Sequence, residues 1–254
     1  MNARHRSLLT VAGGDTTSTA LAAVLFYLSR DPSRHTKLVA EIRSTFTEVS
    51  QIKRGKQLSS CHYLRACIDE ALRLAPAAPG VLWRQACEGG AFVDGEYIPA
   101  GLDIGTCTYA LSHTENHFEH PYDFKPERFM AKHNVGDKLK EYPNTAGTTV
   151  SADPVSTATK TLPHRRVDNM DAYAPFSIGP RSCLAKPLAY LELSLALAHI
   201  IWLLDFEVAD ATGEGGPSLG KGRERRGEFQ ITDMFSSNKE GPVLRFRRAF
   251  WAGE

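Results

Sequence analysis

The sequence predicts a mainly α-helical fold with small β hairpins, and three patterns support this fold class. Apolar residues recur at helical spacing between Leu21 and Leu28, and a largely apolar run extends over positions 188–204. An Asp-Gly pair lies at the centre of positions 92–98, as in a β hairpin with a two-residue turn. The chain has 254 residues, of which 42% are hydrophobic, so it can bury a sizeable core.

The first predicted helix contains an unusual pair, Gly13 and Gly14, followed by Asp15 and Thr16. Each glycine inside a helix costs about 1 kcal/mol relative to alanine, so the pair needs a reason. One explanation is that the helix begins here, with Asp15 or Thr16 as its N-cap after a glycine loop. In a longer helix, the glycines would need a functional reason.

A second helix is predicted to end at Pro76, because the residue before a proline disfavours the helical conformation. Its apolar positions form a single stripe: Leu64, Ile68, Ala71, Leu72 and Ala75. Glu70 and Arg73 lie on the opposite face, three residues apart. On spacing alone they are an exposed ion pair, worth about 0.2–0.5 kcal/mol.

Cys183 lies in the most informative stretch of the sequence. A tight turn at Gly179-Pro180 and then Arg181 precede the cysteine, and an apolar helical run follows it. The free N–H groups and the dipole of a helix N-terminus favour a thiolate, and the guanidinium of Arg181 matches the geometry of a propionate carboxylate. The stretch therefore suits a thiolate ligand to a haem iron, and the alternative is a buried structural cysteine.

The Phe-x-x-Gly-x-Arg-x-Cys pattern, formed by Phe176, Gly179, Arg181 and Cys183, resembles the haem-binding loop of the cytochrome P-450 family of haem-thiolate monooxygenases. Ala185 stands where that family has a second glycine, and alanine is small enough to let the helix approach the haem. The resemblance implies that Cys183 is the axial thiolate ligand of the iron of haem b. It also implies that the other three pattern residues belong to the cofactor-binding site. A thiolate ligand donates electron density to the iron and favours O–O cleavage.

The glycine-rich helix and one arginine extend this resemblance. Arg84 matches the other propionate-binding arginine of the family, and the segment from Gly13 to Thr16 resembles its oxygen-activating helix. The resemblance implies that Gly13 leaves room for dioxygen and substrate beside the haem. It also implies that Asp15 and Thr16 are the acid–alcohol pair that relays protons to the oxygen.

Two charged segments complete the resemblance. Glu70 and Arg73 match the Glu-x-x-Arg motif of the family, and positions 126–129 match its Pro-Glu-Arg-Phe segment, which contains Arg128. The resemblance implies that Glu70, Arg73 and Arg128 form a buried charge network. Their role would be structural, holding the haem-loop region in place, and not catalytic.

The resemblance covers nearly all of the chain but only about the C-terminal half of a family member, most similar to fungal microsomal members of secondary metabolism. We expect positions 1–254 to form a single partial cytochrome P-450 domain, the C-terminal haem-binding half of that fold. Positions 132–172 are predicted to be a disordered surface insertion, because their middle, Asn144 to Thr161, is rich in Thr, Ser, Ala and Pro. The alternative is an error in the gene model, such as a retained intron.

The activity implied by the resemblance is insertion of one oxygen atom from O2 into a small apolar organic substrate. Electrons would come from NADPH through NADPH–cytochrome P-450 reductase. One alternative is a truncated, non-catalytic remnant that binds haem or a partner, which the missing N-terminal half favours. Another is a haem-thiolate isomerase or dehydratase that needs no external electrons, but Asp15 and Thr16 favour oxygen activation over it.

Composition narrows the function classes further. The net charge of +1 gives no bulk attraction to nucleic acid, and the five cysteines show no Cys-x-x-Cys pairing, which argues against a zinc site. No signal peptide or membrane anchor is visible, and the apolar run at 188–204 is better explained as a core helix because it carries Glu192 and His199. A full-length relative is expected at the endoplasmic reticulum membrane. This chain, in which no anchor is visible, is expected to be cytoplasmic or of unknown location.

Overall fold

The computed structural model describes residues 3–134 and 168–250, and their side chains at positions 12–130 and 168–250. The helices are α1 (Ala3–Arg30), α2 (Pro32–Thr45), α3 (Lys56–Ser59), α4 (His62–Leu74), α5 (Thr108–Ser112), α6 (Glu127–Asn134) and α7 (Lys186–Leu203). The strands are β1 (Val81–Gln85), β2 (Ala91–Val93), β3 (Glu96–Ile98), β4 (Asp103–Cys107), β5 (Leu204–Val208), β6 (Ile231–Met234), β7 (Ser236–Lys239) and β8 (Leu244–Arg248). Helices with short antiparallel strand pairs are the fold class that the sequence predicts.

Helix α1 continues through the glycine pair without a break, so the interpretation of Asp15 or Thr16 as an N-cap is wrong. The Thr16 hydroxyl donates a hydrogen bond to the carbonyl oxygen of Ala12, one turn earlier, at 2.6 Å. The helix then enters the core, and every residue from Ala23 to Leu28 is buried. One helix therefore has an open first part that carries the glycines and a second part that anchors it.

The core lies where α1, α2, α4 and α7 pack against one another. Several large apolar side chains are fully buried there: Phe26, Leu28, Leu38, Ile42, Phe46, Leu64, Ile68 and Leu74. The indole N–H of Trp202 on α7 donates to the carbonyl oxygen of Phe46 at 3.0 Å, which ties α7 to the end of α2. Since burial of each large apolar side chain contributes about 1.5–3 kcal/mol, this four-helix contact holds the other elements in position.

Helix α4 is buried around almost its whole circumference. The carboxylate of Glu41 accepts the first free N–H groups of α4, those of Tyr63 at 2.8 Å and Leu64 at 2.7 Å. A negative charge at this end also complements the helix dipole. Because Glu70 and Arg73 have no exposed surface, the prediction of an exposed ion pair from spacing alone is wrong.

Helix α7 begins at Lys186, three positions after Cys183, with Pro187 in its first turn, where a missing N–H costs little. Among the described residues, it is the one helix long and apolar enough to cross a membrane by length and composition. Six of its residues are nevertheless buried in the protein: Tyr190, Leu193, Leu197, Ala198, Ile201 and Trp202. This buried face favours the core-helix interpretation.

The strands form two-stranded antiparallel sheets that pair β1 with β4, β2 with β3, β5 with β8 and β6 with β7. The β2–β3 hairpin turns at Asp94 and Gly95, which both have positive φ, 50° and 87°. This geometry explains the Asp-Gly pair and confirms the predicted hairpin. In the β1–β4 sheet, Arg84 lies opposite Ile104.

The predicted insertion at 132–172 is described only at its ends. Helix α6 extends to Asn134, and a 3-10 helix spans Met170–Ala172. Just before that helix, Asp168 accepts a hydrogen bond from Arg128 at 2.7 Å. Positions 135–167, including Asn144 to Thr161, lie outside the described residues, so the insertion stays a prediction.

Candidate haem-binding site

The loop that carries Cys183 is shaped by its own backbone. Ser177 and Gly179 adopt positive φ, 59° and 68°, and a single 3-10 turn covers Gly179–Arg181. The N–H of Cys183 donates to the carbonyl oxygen of Phe176 at 2.8 Å, which closes the loop at its base. The cysteine therefore has a defined position, although it lies outside the regular helices.

The Cys183 side chain is a free thiol on the surface of this chain. Its neighbour Leu184 is 98% exposed, and Ile178, Arg181 and Leu188 are also exposed. The alternative of a buried structural cysteine is therefore wrong. A thiol, a guanidinium and several apolar side chains share one open surface.

Phe176 supports the loop from beneath. Its ring is half-buried, and its centroid lies 5.0 Å from that of Tyr190 on α7. The ammonium of Lys186 lies 5.8 Å from the same ring. Phe176 therefore packs against the protein side of the loop and links it to the first turns of α7.

The predicted oxygen-activating residues lie on the open part of α1. Gly13, Gly14 and Asp15 are exposed, and Thr16 is half-buried. A Cβ added at Gly13 or Gly14 would meet no atom within 4 Å among the described residues. The glycines thus border free space in this chain, which accommodates a ligand placed against the helix.

Arg84 lies on β1 and is exposed. Its Nη1 atom donates a hydrogen bond to the carbonyl oxygen of Trp83 at 2.7 Å, and Trp83 is itself largely exposed. The side chain keeps further donors available for an anionic group. Arg84, Cys183 and the Asp15–Thr16 pair thus come from three separate elements.

The structure brings Glu70, Arg73 and Arg128 into one buried network. Arg73 donates from Nε and Nη2 to the two carboxylate oxygens of Glu70, at 2.8 and 2.9 Å, and Arg128 Nε donates to Glu70 Oε1 at 3.2 Å. The Arg73 Nη1 group also donates to the carbonyl oxygens of Ser112 and Pro121, both at 2.7 Å. The network therefore fastens the chain between α5 and α6 to helix α4.

Three residues outside the sequence motifs lie close to the Cys183 loop, namely Asp69, Tyr173 and Tyr190. Asp69, on α4, accepts hydrogen bonds from the hydroxyls of Tyr173 at 2.9 Å and Tyr190 at 2.6 Å. The available signal was an aspartate directly before Glu70, on a helix that also carries Arg65 and Arg73. That signal alone does not reveal the partners, because both tyrosines lie far along the chain.

The donor set fits haem better than a metal held by protein ligands alone. Among the described residues, no group of three or more His, Cys, Asp or Glu side chains could hold a metal ion. A single thiolate suits an iron that brings four porphyrin nitrogens and needs one axial ligand. The open surface beside Cys183 and the glycines on α1 are compatible with a flat, apolar group of this kind.

Comparison with known proteins identifies the family. Residues 5–218 match the family model described as Cytochrome P450. The chain is 41% identical over 240 residues to the cytochrome P450 monooxygenase atnE of Emericella nidulans, a match that covers 94% of this chain and 40% of that protein. It is 39% identical over 253 residues to a cytochrome P450 monooxygenase of Gibberella zeae, covering 97% and 50%.

A third relative, the cytochrome P450 monooxygenase AKT7 of Alternaria alternata, is 38% identical over 245 residues, covering 95% of this chain and 42% of that protein. The chain therefore spans about half or less of the length of these three relatives. Because the family model matches most of the chain, the chain belongs to the cytochrome P450 family, whose cofactor is haem.

Proposed function

We propose that this chain is the haem-ligating part of a monooxygenase that inserts one oxygen atom from O2 into a small apolar organic substrate. The observation that carries the proposal is the exposed Cys183 thiol, held on a closed loop just before helix α7. Positions 1–254 would form one partial domain of the complete enzyme. The relatives are named as cytochrome P450 monooxygenases, which supports the same reaction class.

Cys183 would hold the iron, and Arg181 and Arg84 would hold the two propionates. The arginines present planar sets of donors that match carboxylates, and both are exposed, so they can turn towards the cofactor. Phe176 and Gly179 would shape the loop so that the sulfur points outward. When bound, the haem supplies the activation of dioxygen.

Asp15 and Thr16 would supply protons to the reaction, and Gly13 would leave room beside them. Asp15 is exposed to water, whereas the half-buried Thr16 hydroxyl lies one residue further into the helix. The Thr16 hydroxyl donates to the Ala12 carbonyl oxygen, so its lone pairs can accept a hydrogen bond. It would have to turn away from Ala12 to pass on its own proton while it takes another from that donor. Glu70, Arg73 and Arg128 would keep the site in shape without touching the reacting atoms.

The electron source in this proposal is NADPH, acting through NADPH–cytochrome P-450 reductase. The three relatives come from fungi, and the proposal places the complete enzyme in fungal secondary metabolism, at the endoplasmic reticulum membrane. The exposed apolar residues around Cys183, among them Leu184 and Leu188, would suit the apolar surface of the haem.

The test uses the complete haem-loaded protein that contains this chain. Reduced protein with carbon monoxide is expected to give the strongly red-shifted Soret band of thiolate ligation, and Cys183→Ala to abolish it, whereas Cys87→Ala, at another exposed cysteine, keeps it. A red-shifted band in Cys183→Ala would contradict the assignment. With isotopically labelled dioxygen, label in the product supports monooxygenation, and an unlabelled product formed without NADPH would favour an isomerase or dehydratase.

A further inference from the structure

A single carboxylate oxygen connects the two segments that flank the Cys183 loop. Oδ1 of Asp69 accepts hydrogen bonds from the hydroxyls of both Tyr173, at 2.9 Å, and Tyr190, at 2.6 Å. Tyr173 immediately follows the 3-10 helix that precedes the loop, and Tyr190 lies near the start of α7, which follows it. Both ends of the loop therefore meet at one atom of helix α4.

The surroundings of Asp69 keep this contact in place. Asp69 is only 4% exposed, and its Oδ2 atom accepts a hydrogen bond from Arg65 Nε at 3.1 Å. The guanidinium of Arg65 also lies 3.4 Å from the ring centroid of Tyr190. Burial and the nearby charge of Asp69 raise the pKa of Tyr173 and Tyr190, so both hydroxyls stay protonated and remain donors.

The ring of Tyr190 connects this contact to the cysteine, and the ring of Tyr173 anchors the segment before the loop. The Tyr190 ring packs on Phe176, whose carbonyl oxygen accepts the N–H of Cys183. On the other side of the loop, the Tyr173 ring packs edge-on against buried Phe129, with centroids 4.8 Å apart. The start, the base and the end of the loop are thus all fixed relative to α4.

Asp69 and its neighbour Glu70 hold the region of the loop at different points. Glu70 binds Arg73 and Arg128, which fasten the segment between α5 and α6, and Arg128 also binds Asp168, five positions before Tyr173. The tyrosine partners of Asp69 flank Cys183 instead. Loss of the Asp69 carboxylate would therefore release the cysteine loop while the Glu70 network keeps its own hydrogen bonds.

We propose that Asp69 is a positioning residue for the Cys183 thiol, which it holds by fixing both ends of the loop through Tyr173 and Tyr190. It acts through these tyrosines and does not touch the haem. The proposal rests on Cys183 as the haem ligand, which is the proposed function. A loop that is released at either end holds the sulfur less firmly, so thiolate ligation weakens before the fold is lost.

The test compares Asp69→Asn, Tyr173→Phe and Tyr190→Phe in the complete protein that contains this chain. Tyr63→Phe is the matched control, because Tyr63 is a buried tyrosine on α4, the helix that carries Asp69. Its hydroxyl also donates to a carboxylate, that of Glu127, at 3.2 Å. Its partner lies on α6 and not beside the loop. Two readouts are taken: the reduced carbon monoxide spectrum of the haem-loaded protein, and amide hydrogen exchange of the peptide containing Cys183 in the haem-free protein.

We expect Asp69→Asn, Tyr173→Phe and Tyr190→Phe each to increase several-fold the fraction of complex that lacks the red-shifted Soret band. All three variants should also accelerate amide exchange in the Cys183 peptide several-fold, whereas Tyr63→Phe matches the wild type in both readouts. If Asp69→Asn fails to fold, Tyr173→Phe, which removes one hydroxyl and no charge, decides the question.

The outcomes separate this proposal from the proposed function. If the wild-type protein lacks the red-shifted band, Cys183 is not the haem ligand. In that case, amide exchange of the Cys183 peptide in the haem-free wild type and variants still decides whether Asp69 fixes the loop. A red-shifted band in the wild type, with spectrum and exchange both unchanged in Asp69→Asn and Tyr173→Phe, overturns the positioning role alone.

Discussion

Glu70 and Arg73 form a two-point ion pair with no exposed surface on either residue. Arg73 meets both carboxylate oxygens of Glu70, and Arg128 shares one of them. Burial removes the hydration of all three charges, so each depends on its protein partners. Removal of one partner leaves the others charged and incompletely paired, which makes this network sensitive to single substitutions.

The first prediction concerns Glu70→Gln, which removes the shared negative charge. We expect it to lower the free energy of unfolding by about 3–5 kcal/mol, measured by urea unfolding of the complete haem-loaded protein. The control is Glu207→Gln, whose pair with Arg245 at 3.1 Å is exposed, and whose effect should stay within about 0.5 kcal/mol. Equal effects at the two sites would contradict a structural role for the buried network.

The second prediction concerns Thr16. In the complete enzyme, Thr16→Ala should leave haem binding intact but divert electrons from product to peroxide, because proton delivery by a positioned group contributes about 10²–10⁴-fold. Thr16→Ser should retain much of the coupling. Thr45→Ala on α2 is the control. The Thr45 hydroxyl makes the same kind of hydrogen bond, to the backbone carbonyl oxygen of Glu41 one turn earlier, at 2.7 Å. Unchanged peroxide formation in Thr16→Ala would argue against proton delivery.

The third prediction is a pH dependence of stability caused by His113. Burial lowers the pKa of His113 from 6.5 to about 4, and its ring stacks on Tyr109 with 3.9 Å between centroids. Between these pH values the unfolded chain binds a proton that the folded protein excludes. Stability is therefore unaffected by this group above about pH 6.5 and falls by about 1.4 kcal/mol per pH unit as the pH drops towards 4.

Urea unfolding of wild type and His113→Phe at several pH values isolates this contribution. The wild type should lose more stability than the variant between about pH 6.5 and 4. His35, whose pKa burial also lowers, is present in both proteins and cancels in the comparison. Parallel pH profiles would mean that His113 is not the group responsible.

The fourth prediction concerns positions 144–161. Deletion of this segment should leave haem content and melting temperature nearly unchanged, because it offers few large apolar side chains for burial. Limited proteolysis of the complete protein should cut there first. A large fall in melting temperature on deletion, or strong protection from protease, would show that the segment is an ordered part of the fold.

Local chemistry made some features predictable from sequence. Asp94-Gly95 specifies its own turn, since both residues adopt positive φ there. The end of α4 likewise follows from one pair of neighbours, because Ala75 precedes Pro76 and a residue before proline disfavours the helical conformation. Both features depend on neighbours within a few positions, and the sequence displays those neighbours directly.

Other features depend on distant contacts and could not be predicted from local patterns. Apolar periodicity placed Glu70 and Arg73 on the polar face of the helix. In the fold, the backbone carbonyl groups of Ser112 and Pro121 cover that face. A pattern of side chains cannot predict such a contact, because every residue has a backbone carbonyl group. Asp69 contacts Tyr173 and Tyr190, which lie 104 and 121 positions after it in the chain. The family resemblance supplied the Glu70 network, while the partners of Asp69 became visible only in the fold.

The adjacency of Asp69 and Glu70 makes the register of α4 as important as its composition. Successive side chains on an α-helix point about 100° apart, so one carboxylate is directed at the tyrosines and the next at the arginines. A single inserted or deleted residue between His62 and Asp69 would turn both carboxylates by that angle and disengage both sets of partners together. A change of length in this helix is therefore more damaging than either carboxylate substitution alone.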